Sequence, residues 1–231
     1  VLPGTTVTGS RIRYNLVTFK DGKTQTFPSG IAGSPLDWDF METACWESEV
    51  VDPESPVRLV TVTDENSDLD AYTLSGYIPV RRRLVNPSPE QRDRLRFTFE
   101  SDLAKPVFFV RKYIRDEVHC RKERLTTCTQ LCLQLKEVPA GLSAGFITTD
   151  GFTYEAVCPQ PQNGIVRIPL SELKQVSTAL IPLEFPVFLD NYFQPAISIP
   201  FRTEKIETLE LRLEKNTAGK QEIEVGSFWL E

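Results

Sequence analysis

The sequence contains a single histidine, His119, and this scarcity removes several classes of catalytic site. A copper site of the histidine-brace type needs two histidines. A catalytic serine in the motif GLSAG (141–145) needs a histidine that follows it in the chain, whereas His119 precedes this motif. We therefore assign no residue to catalysis, and we interpret GLSAG as a glycine-flanked strand edge.

The sequence also lacks an excess of positive charge and any long apolar run. Its net charge is −6 and its isoelectric point is about 5.1. Nucleic-acid binding depends on clustered Lys and Arg, so we predict no nucleic-acid partner, and we interpret the short basic runs at 81–83 and 121–124 as solvated surface. No apolar run approaches the ~18 residues of a membrane-spanning helix, so we predict no membrane partner.

The five cysteines do not have the spacing of a zinc site, which pairs C-x-x-C motifs or adds histidines. They are Cys45, Cys120, Cys128, Cys132 and Cys158. Two disulfides with one thiol left over would suit an oxidising compartment, so we predict disulfides and a secreted, extracellular protein. Five free cysteines in a cytosolic protein remain the alternative.

Alternating apolar residues are the main structural signal that is present. Leu95, Phe97 and Phe99 alternate with polar residues, and similar runs recur along the chain to Trp229. We count about ten to twelve short strands and one helix start, at Ser171, for a short helix near 171–179. Since long helices do not alternate with the strands, the predicted fold is all-β, an antiparallel β-sandwich of jelly-roll type.

The segment 86–93, NPSPEQRD, has two prolines and no apolar residue. It is the most linker-like part of the chain. We predict one domain over 1–231, because the strands before this segment are too few for a convincing core of their own. The alternative is a division near 86–93, with an N-terminal β extension at 1–85 and a jelly-roll sandwich at 94–231.

Three pieces of the C-terminal region resemble a galactose-binding-like jelly roll. They are QLCLQLKEVPAGLSAGFITTDGFTYEAV, GIVRIPLSEL and the closing pair IETLELRLE and IEVGSFWLE, all within 130–231. This family includes carbohydrate-binding modules of secreted polysaccharide-degrading enzymes, and fungal secreted proteins carry such regions. The resemblance implies secretion, sugar binding, a structural calcium ion and a catalytic domain or other protein as partner.

The stretch DWDFMETACWE (37–47) mixes aromatic and acidic residues in a way that suits sugar binding. Aromatic faces stack on sugar rings, and carboxylates accept hydrogen bonds from hydroxyl groups. We therefore predict ligand-binding roles for residues of this stretch and for Tyr192, which presents a ring and a hydroxyl group. The predicted ligand-binding residues are Trp38, Trp46, Asp37, Asp39 and Tyr192.

The stretch DENSDLD (64–70) places oxygen-bearing side chains at alternate positions. Oxygen ligands of this kind can bind calcium, but the stretch lacks the glycine and the final glutamate of an EF-hand loop. We predict no required cofactor, and an irregular structural calcium site as the one metal candidate. The candidate ligands are Asp64, Asn66, Asp68 and Asp70.

These observations favour non-catalytic binding of a polysaccharide or glycan by a secreted β-sandwich that uses exposed aromatic residues. Two alternatives come from other classes of protein. The first is a jelly-roll glycoside hydrolase or polysaccharide lyase, which would need paired carboxylates or a set of Tyr, Arg and His side chains in a groove. The second is a secreted structural or host-interaction protein.

Overall fold

The computed structural model describes residues 11–34, 44–62, 68–74, 81–85, 94–181 and 190–231. The chain divides into two compact units, Val1–Ser55 and Pro56–Glu231. Within the described residues, no helix has the length and apolar character needed to cross a bilayer.

The first unit contains five short strands. These are β1 (Arg11–Tyr14), β2 (Leu16–Lys20), β3 (Lys23–Phe27), β4 (Ile31–Ala32) and β5 (Trp46–Glu49). β1 pairs with β5, whereas β2, β3 and β4 form a three-stranded antiparallel sheet. Asp21 and Gly22 both have positive φ, at 51° and 72°, as the tight turn between β2 and β3 requires.

In its described residues, the second unit is a sandwich of two six-stranded antiparallel sheets with one separate two-stranded antiparallel pair. Its strands are β6 (Val57–Val60), β7 (Asp70–Thr73), β8 (Arg81–Val85), β9 (Arg94–Ser101), β10 (Val107–Tyr113), β11 (Gln130–Leu135), β12 (Leu142–Thr148), β13 (Thr153–Val157), β14 (Ile165–Pro169), β15 (Lys174–Val176), β16 (Thr178–Ala179), β17 (Tyr192–Phe193), β18 (Ile206–Glu214) and β19 (Gly219–Leu230). Sheet I has the order β15-β13-β12-β18-β10-β7. Sheet II has the order β14-β11-β19-β9-β8, and β6 also pairs with β19. The predicted all-β antiparallel sandwich is confirmed.

The core lies between the two sheets and consists of the apolar residues that alternate along each strand. Leu95, Phe97 and Phe99 of β9 are fully buried, as the alternation predicts. Phe99 stacks on Phe108 of β10, with 4.5 Å between the ring centroids, and so joins sheet II to sheet I. Burial of each such side chain stabilises the fold by about 1.5–3 kcal/mol. The packing of the two sheets on their apolar faces is therefore the main source of stability.

The predicted short helix near 171–179 is wrong. The chain makes a single 3-10 turn at Leu170–Glu172, and the next residues form β15 and β16. Strand β15 pairs with β13, and this pairing gives the backbone N–H and C=O groups the hydrogen bonds that a helix would otherwise provide. The two α-helices among the described residues lie instead in a charged stretch that the pattern did not single out. They are α1 (Arg115–His119) and α2 (Lys122–Leu125).

The segment 86–93 lies outside the described residues. The strands on either side of it, β8 and β9, pair with each other in sheet II. The division between the compact units follows Ser55 instead. Strand β19 lies at the centre of sheet II, between β11 and β9.

The disulfide prediction is wrong, since all five cysteines are free. Cys128 and Cys158 belong to the core cluster, whereas Cys132 lies outside that cluster. The Cys132 thiol donates a hydrogen bond to Glu231 Oε1 at 3.2 Å. Burial raises the pKa of Cys132 and of Cys158 to about 12.

These environments predict how the thiols react. At about pH 8 a thiol reagent should modify the exposed Cys120 first, because the reacting species is the thiolate and the buried thiols stay protonated and covered. Cys128, Cys132 and Cys158 should react only when the protein unfolds. The measurement is the time course of thiol modification with and without denaturant. Fewer than five reactive thiols in denaturant without a reductant would contradict the free state of the cysteines.

Candidate functional site

The outer face of sheet I, which points away from the core, carries a cluster of charged and aromatic side chains. On β18, Leu209, Leu211 and Leu213 point into the core, so the residues between them point outward. These outward residues are Glu210 and Arg212. On the neighbouring strand β10, Arg111 is directly opposite Glu210, and Phe109 is directly opposite Arg212.

Arg111 and Glu210 form a buried ion pair. Arg111 Nε donates to Glu210 Oε2 at 2.5 Å, and Arg111 Nη2 donates to the carbonyl oxygen of Ala179 at 2.8 Å. The Glu210 side chain is only 2% exposed. Burial raises the pKa of Glu210, and the charge of Arg111 opposes this shift. The pair therefore holds an acceptor and a donor group in fixed positions at the centre of the sheet.

Arg212 contacts carboxylates on both sides and two aromatic rings. Its guanidinium lies 2.6 Å from Glu214 Oε1 and 3.5 Å from Glu155 Oε1. The Cζ atom lies 5.5 Å from the centroid of the Tyr192 ring and 5.9 Å from that of Phe109, within the range of cation–π attraction. Among the described residues, neither Arg212 Nε nor Glu155 Oε2 has a hydrogen-bond partner, although both atoms are buried.

Gly145 separates the two buried carboxylates of the cluster. It lies on β12, directly opposite Glu155 of β13 and directly opposite Glu210 of β18. The strand spacing places the Cα atoms of the two glutamates about 10 Å apart. A Cβ atom on Gly145 would lie 1.8 Å from the carbonyl oxygen of Tyr154, so no other residue fits. At this position β12 therefore places no side chain between Glu155 and Glu210.

This arrangement suits a ligand with many hydroxyl groups. The two guanidinium groups donate hydrogen bonds, the carboxylates accept them, and the half-buried ring of Tyr192 offers an apolar face, whereas the ring of Phe109 is fully buried beneath the guanidinium groups. Burial raises the pKa of Glu155, which the charge of Arg212 opposes, and it also raises the pKa of Tyr192. We call this set of residues the sheet I cluster. Its members are Phe109, Arg111, Glu155, Tyr192, Glu210 and Arg212.

Of the sequence-predicted ligand-binding residues, only Tyr192 belongs to the sheet I cluster. Trp46 lies on β5 of the first unit, where its ring packs against Tyr14 with 5.7 Å between centroids. Trp46 and Tyr14 are 39% and 48% exposed, so this pair offers a separate aromatic surface. Asp37, Trp38 and Asp39 lie outside the described residues.

The predicted calcium ligands are only partly described. Asp64 and Asn66 lie outside the described residues. Asp68 is exposed with a φ of 51°, and Asp70 lies on β7, directly opposite Arg111. In the part of the chain that the structure describes, no group of three or more His, Cys, Asp or Glu side chains could hold a metal ion. The calcium site stays a prediction.

The two catalytic motifs set aside in the sequence have ordinary positions. Ser143 of GLSAG lies within strand β12, and the strand-to-helix turn of a nucleophile elbow is absent there. His119 is the last residue of α1 and is exposed.

The sequence did not single out most of the sheet I cluster. The only available signal was the polar half of the alternation in IETLELRLE, where Glu210 and Arg212 alternate with leucines. That pattern indicates an outer face, but it is also typical of any solvated strand surface. It does not indicate that Glu210 is buried or which arginine faces it.

No family model and no curated protein matches the sequence. Among solved structures, the chain is similar to a family 11 carbohydrate-binding module from Clostridium thermocellum in complex with a β-1,3-1,4-mixed-linked tetrasaccharide. The identity is 12% and the TM-score 0.46, over 76% of this chain and 96% of that chain. The solution structure of CtCBM11 is also similar, with 12% identity and a TM-score of 0.43, over 74% of this chain and 93% of that chain.

The position of Gly145 leads to a prediction about stability. The change Gly145→Ala should lower the free energy of unfolding by about 2–3 kcal/mol, because the added methyl group collides with the backbone of β13. The measurement is urea denaturation. Gly226→Ala is the matched control on β19: its added Cβ meets the flexible side chain of Gln134, which can move, so the loss should be smaller. Equal losses for the two variants would contradict the proposed collision.

The raised pKa of Glu155 leads to a prediction about pH. A carboxyl group whose pKa is higher in the folded than in the unfolded protein destabilises the fold as pH rises through the interval between the two values. Glu155→Gln removes this effect, so its stability relative to the wild type should increase from about pH 4 to about pH 7, by about 1.4 kcal/mol per unit of pKa elevation.

The measurement is urea denaturation of both proteins at the two pH values. Glu222→Gln is the control of opposite sign, because a hydrogen bond from Lys220 lowers the pKa of Glu222. Its stability relative to the wild type should decrease over the same interval. A trend of the same sign in both variants would contradict the assignment.

Proposed function

We propose that this protein binds a polysaccharide through the outer face of sheet I and does not cleave it. The observation that supports the proposal is the sheet I cluster itself. Two arginines and two carboxylates lie on one sheet face beside the half-buried ring of Tyr192, over the fully buried ring of Phe109. Sugar hydroxyl groups both donate and accept hydrogen bonds, and the C–H faces of a sugar ring pack on aromatic rings.

The ion pairs favour binding over catalysis. Arg111 contacts Glu210 and Arg212 contacts Glu155, so a cation is adjacent to each carboxylate and stabilises its ionised form. A glycoside hydrolase needs one of two carboxyl groups to be protonated and free to transfer its proton. Held in this way, the two carboxylates serve as fixed hydrogen-bond acceptors.

A glycoside hydrolase is the second candidate function. Burial raises the pKa of Glu155, and its Oε2 atom has no hydrogen-bond partner within the described residues. Both properties are typical of a general acid. A polysaccharide lyase has less support, since the histidine lies on α1 and not on this sheet.

The aromatic pair of the first unit, Tyr14 and Trp46, is the alternative position that we propose for the sugar site. The rings of Tyr14 and Trp46 are exposed and lie on one face of the β1–β5 pair. The proposal also includes secretion, a structural calcium ion and a catalytic domain as partner. These three properties are what the resemblance of 130–231 implies. A secreted structural or host-interaction protein without a sugar ligand is the alternative that the experiment below addresses.

The proposal predicts that Tyr192→Ala weakens polysaccharide binding by about tenfold, because it removes a ring contact worth about 1–2 kcal/mol. The measurement is affinity electrophoresis through gels that contain neutral polysaccharides such as mixed-linked glucan, xylan and galactomannan, beside an assay for released reducing sugar. Phe193→Ala is the matched control. Phe193 is the neighbouring residue of the same strand, and its ring packs on Phe152 instead.

Retardation of the wild type without sugar release supports binding, and release that Glu155→Gln abolishes supports the hydrolase. If Trp46→Ala loses retardation while Tyr192→Ala is retarded like the wild type, the binding site lies in the first unit. If no polysaccharide retards the wild type, the binding proposal fails and the host-interaction alternative is favoured.

A further inference from the structure

The outer face of sheet II carries a cluster of positive charge that the sheet I cluster does not use. Core residues of β9 and β19 alternate with outward charged residues, and the edge strand β8 and a residue following β11 add more. We call this set the basic patch. It consists of Arg81, Arg83, Arg94, Arg96 and Lys136, arranged around Glu224.

The strand register brings like charges together in the basic patch. Arg83 of β8 is directly opposite Arg96 of β9, which is in turn directly opposite Glu224 of β19. Arg81 is directly opposite Thr98, one step further along the same face. Like charges directly opposite each other destabilise a sheet, so this arrangement has a cost that the fold does not require.

One carboxylate serves three of the cations. Glu224 lies 3.0 Å from Arg96 Nη2, 3.6 Å from Arg94 Nη1 and 3.9 Å from Lys136 Nζ. The Arg94 side chain is only 15% exposed, and among the described residues its buried Nε atom has no hydrogen-bond partner. Glu224 orients the arginines but neutralises only one charge.

The remaining two arginines add to the excess of positive charge in the basic patch. Arg81 and Arg83 are exposed, and we find no ion pair for either of them within the described part of the chain. The basic patch thus holds five cations around Glu224, and Glu222, the next outward residue of β19, is paired with Lys220, in a chain whose net charge is −6. A local field opposite in sign to the whole molecule attracts anions to this face.

We propose that the basic patch is a second binding site, which takes a polysaccharide bearing carboxylate or sulfate groups. Arginine binds such groups through two parallel hydrogen bonds, and the outward guanidinium groups of neighbouring strands offer several such contacts in a row. The choice of a polysaccharide as the anionic polymer rests on the proposed function. A nucleic acid is disfavoured, because no aromatic residue on which a base could stack belongs to the patch.

The test compares retention of the full chain in gels containing dextran sulfate, polygalacturonate or neutral dextran. The wild type should be retarded by the two acidic polymers and not by dextran. The double variant Arg81→Gln/Arg83→Gln should lose about tenfold or more in affinity at low salt, and the dependence of affinity on salt should weaken, since fewer counterions are released. Arg11→Gln/Arg13→Gln is the matched control, because it removes the same charge from the first unit and should leave affinity within about twofold.

Circular dichroism and thermal unfolding check that the variants fold. Equal affinity of both double variants, or equal retention of the wild type by dextran, would overturn the proposal. Retention by DNA as strong as that by dextran sulfate would assign the patch to nucleic acid and also overturn it. The Tyr192→Ala variant separates the two proposals, because it changes the sheet I cluster and leaves the basic patch intact. If neutral polysaccharides do not bind, but the acidic ones bind and this binding requires Arg81 and Arg83, only the sheet I proposal fails.

Discussion

Apolar contact between the facing sides of the two sheets is the constraint on which the rest of this protein depends. Phe99 on Phe108 and the leucines of β18 illustrate it. Because strand side chains alternate between two faces, burial of Leu209, Leu211 and Leu213 forces the residues between them outward. The core therefore determines which charged side chains can meet on the outside of each sheet.

The outer face of sheet I is unusual because its charges are largely withdrawn from water. A carboxylate as buried as Glu210 loses much of its hydration, and the contact with Arg111 only partly compensates. Removal of one partner from such a pair leaves an uncompensated buried charge, which is strongly destabilising. Ion pairs of this kind hold hydrogen-bonding groups in place before a ligand arrives, which lowers the entropic cost of binding.

The two outer faces of the sandwich have different chemistry. On sheet I each arginine has carboxylate partners and lies near aromatic rings, so its surface is balanced in charge. On sheet II the positive charges outnumber the carboxylate at their centre. We accordingly propose a polymer with hydroxyl groups for the first surface and an anionic one for the second, although both surfaces are built on the same alternation and share one core.

The amino-acid sequence by itself determined the fold class, because alternation such as that of Leu95, Phe97 and Phe99 has one stable outcome, two sheets stacked on their apolar faces. It also pointed to Tyr192 as an outward aromatic residue. It could not indicate that Ser171 begins one 3-10 turn, since pairing of β15 with β13 overrides local helix preference. Nor could it indicate that Arg111 meets Glu210, 99 residues away, or that Gly145 leaves space between two glutamates. Those facts depend on which strands are neighbours and in what register, and only the tertiary structure decides both.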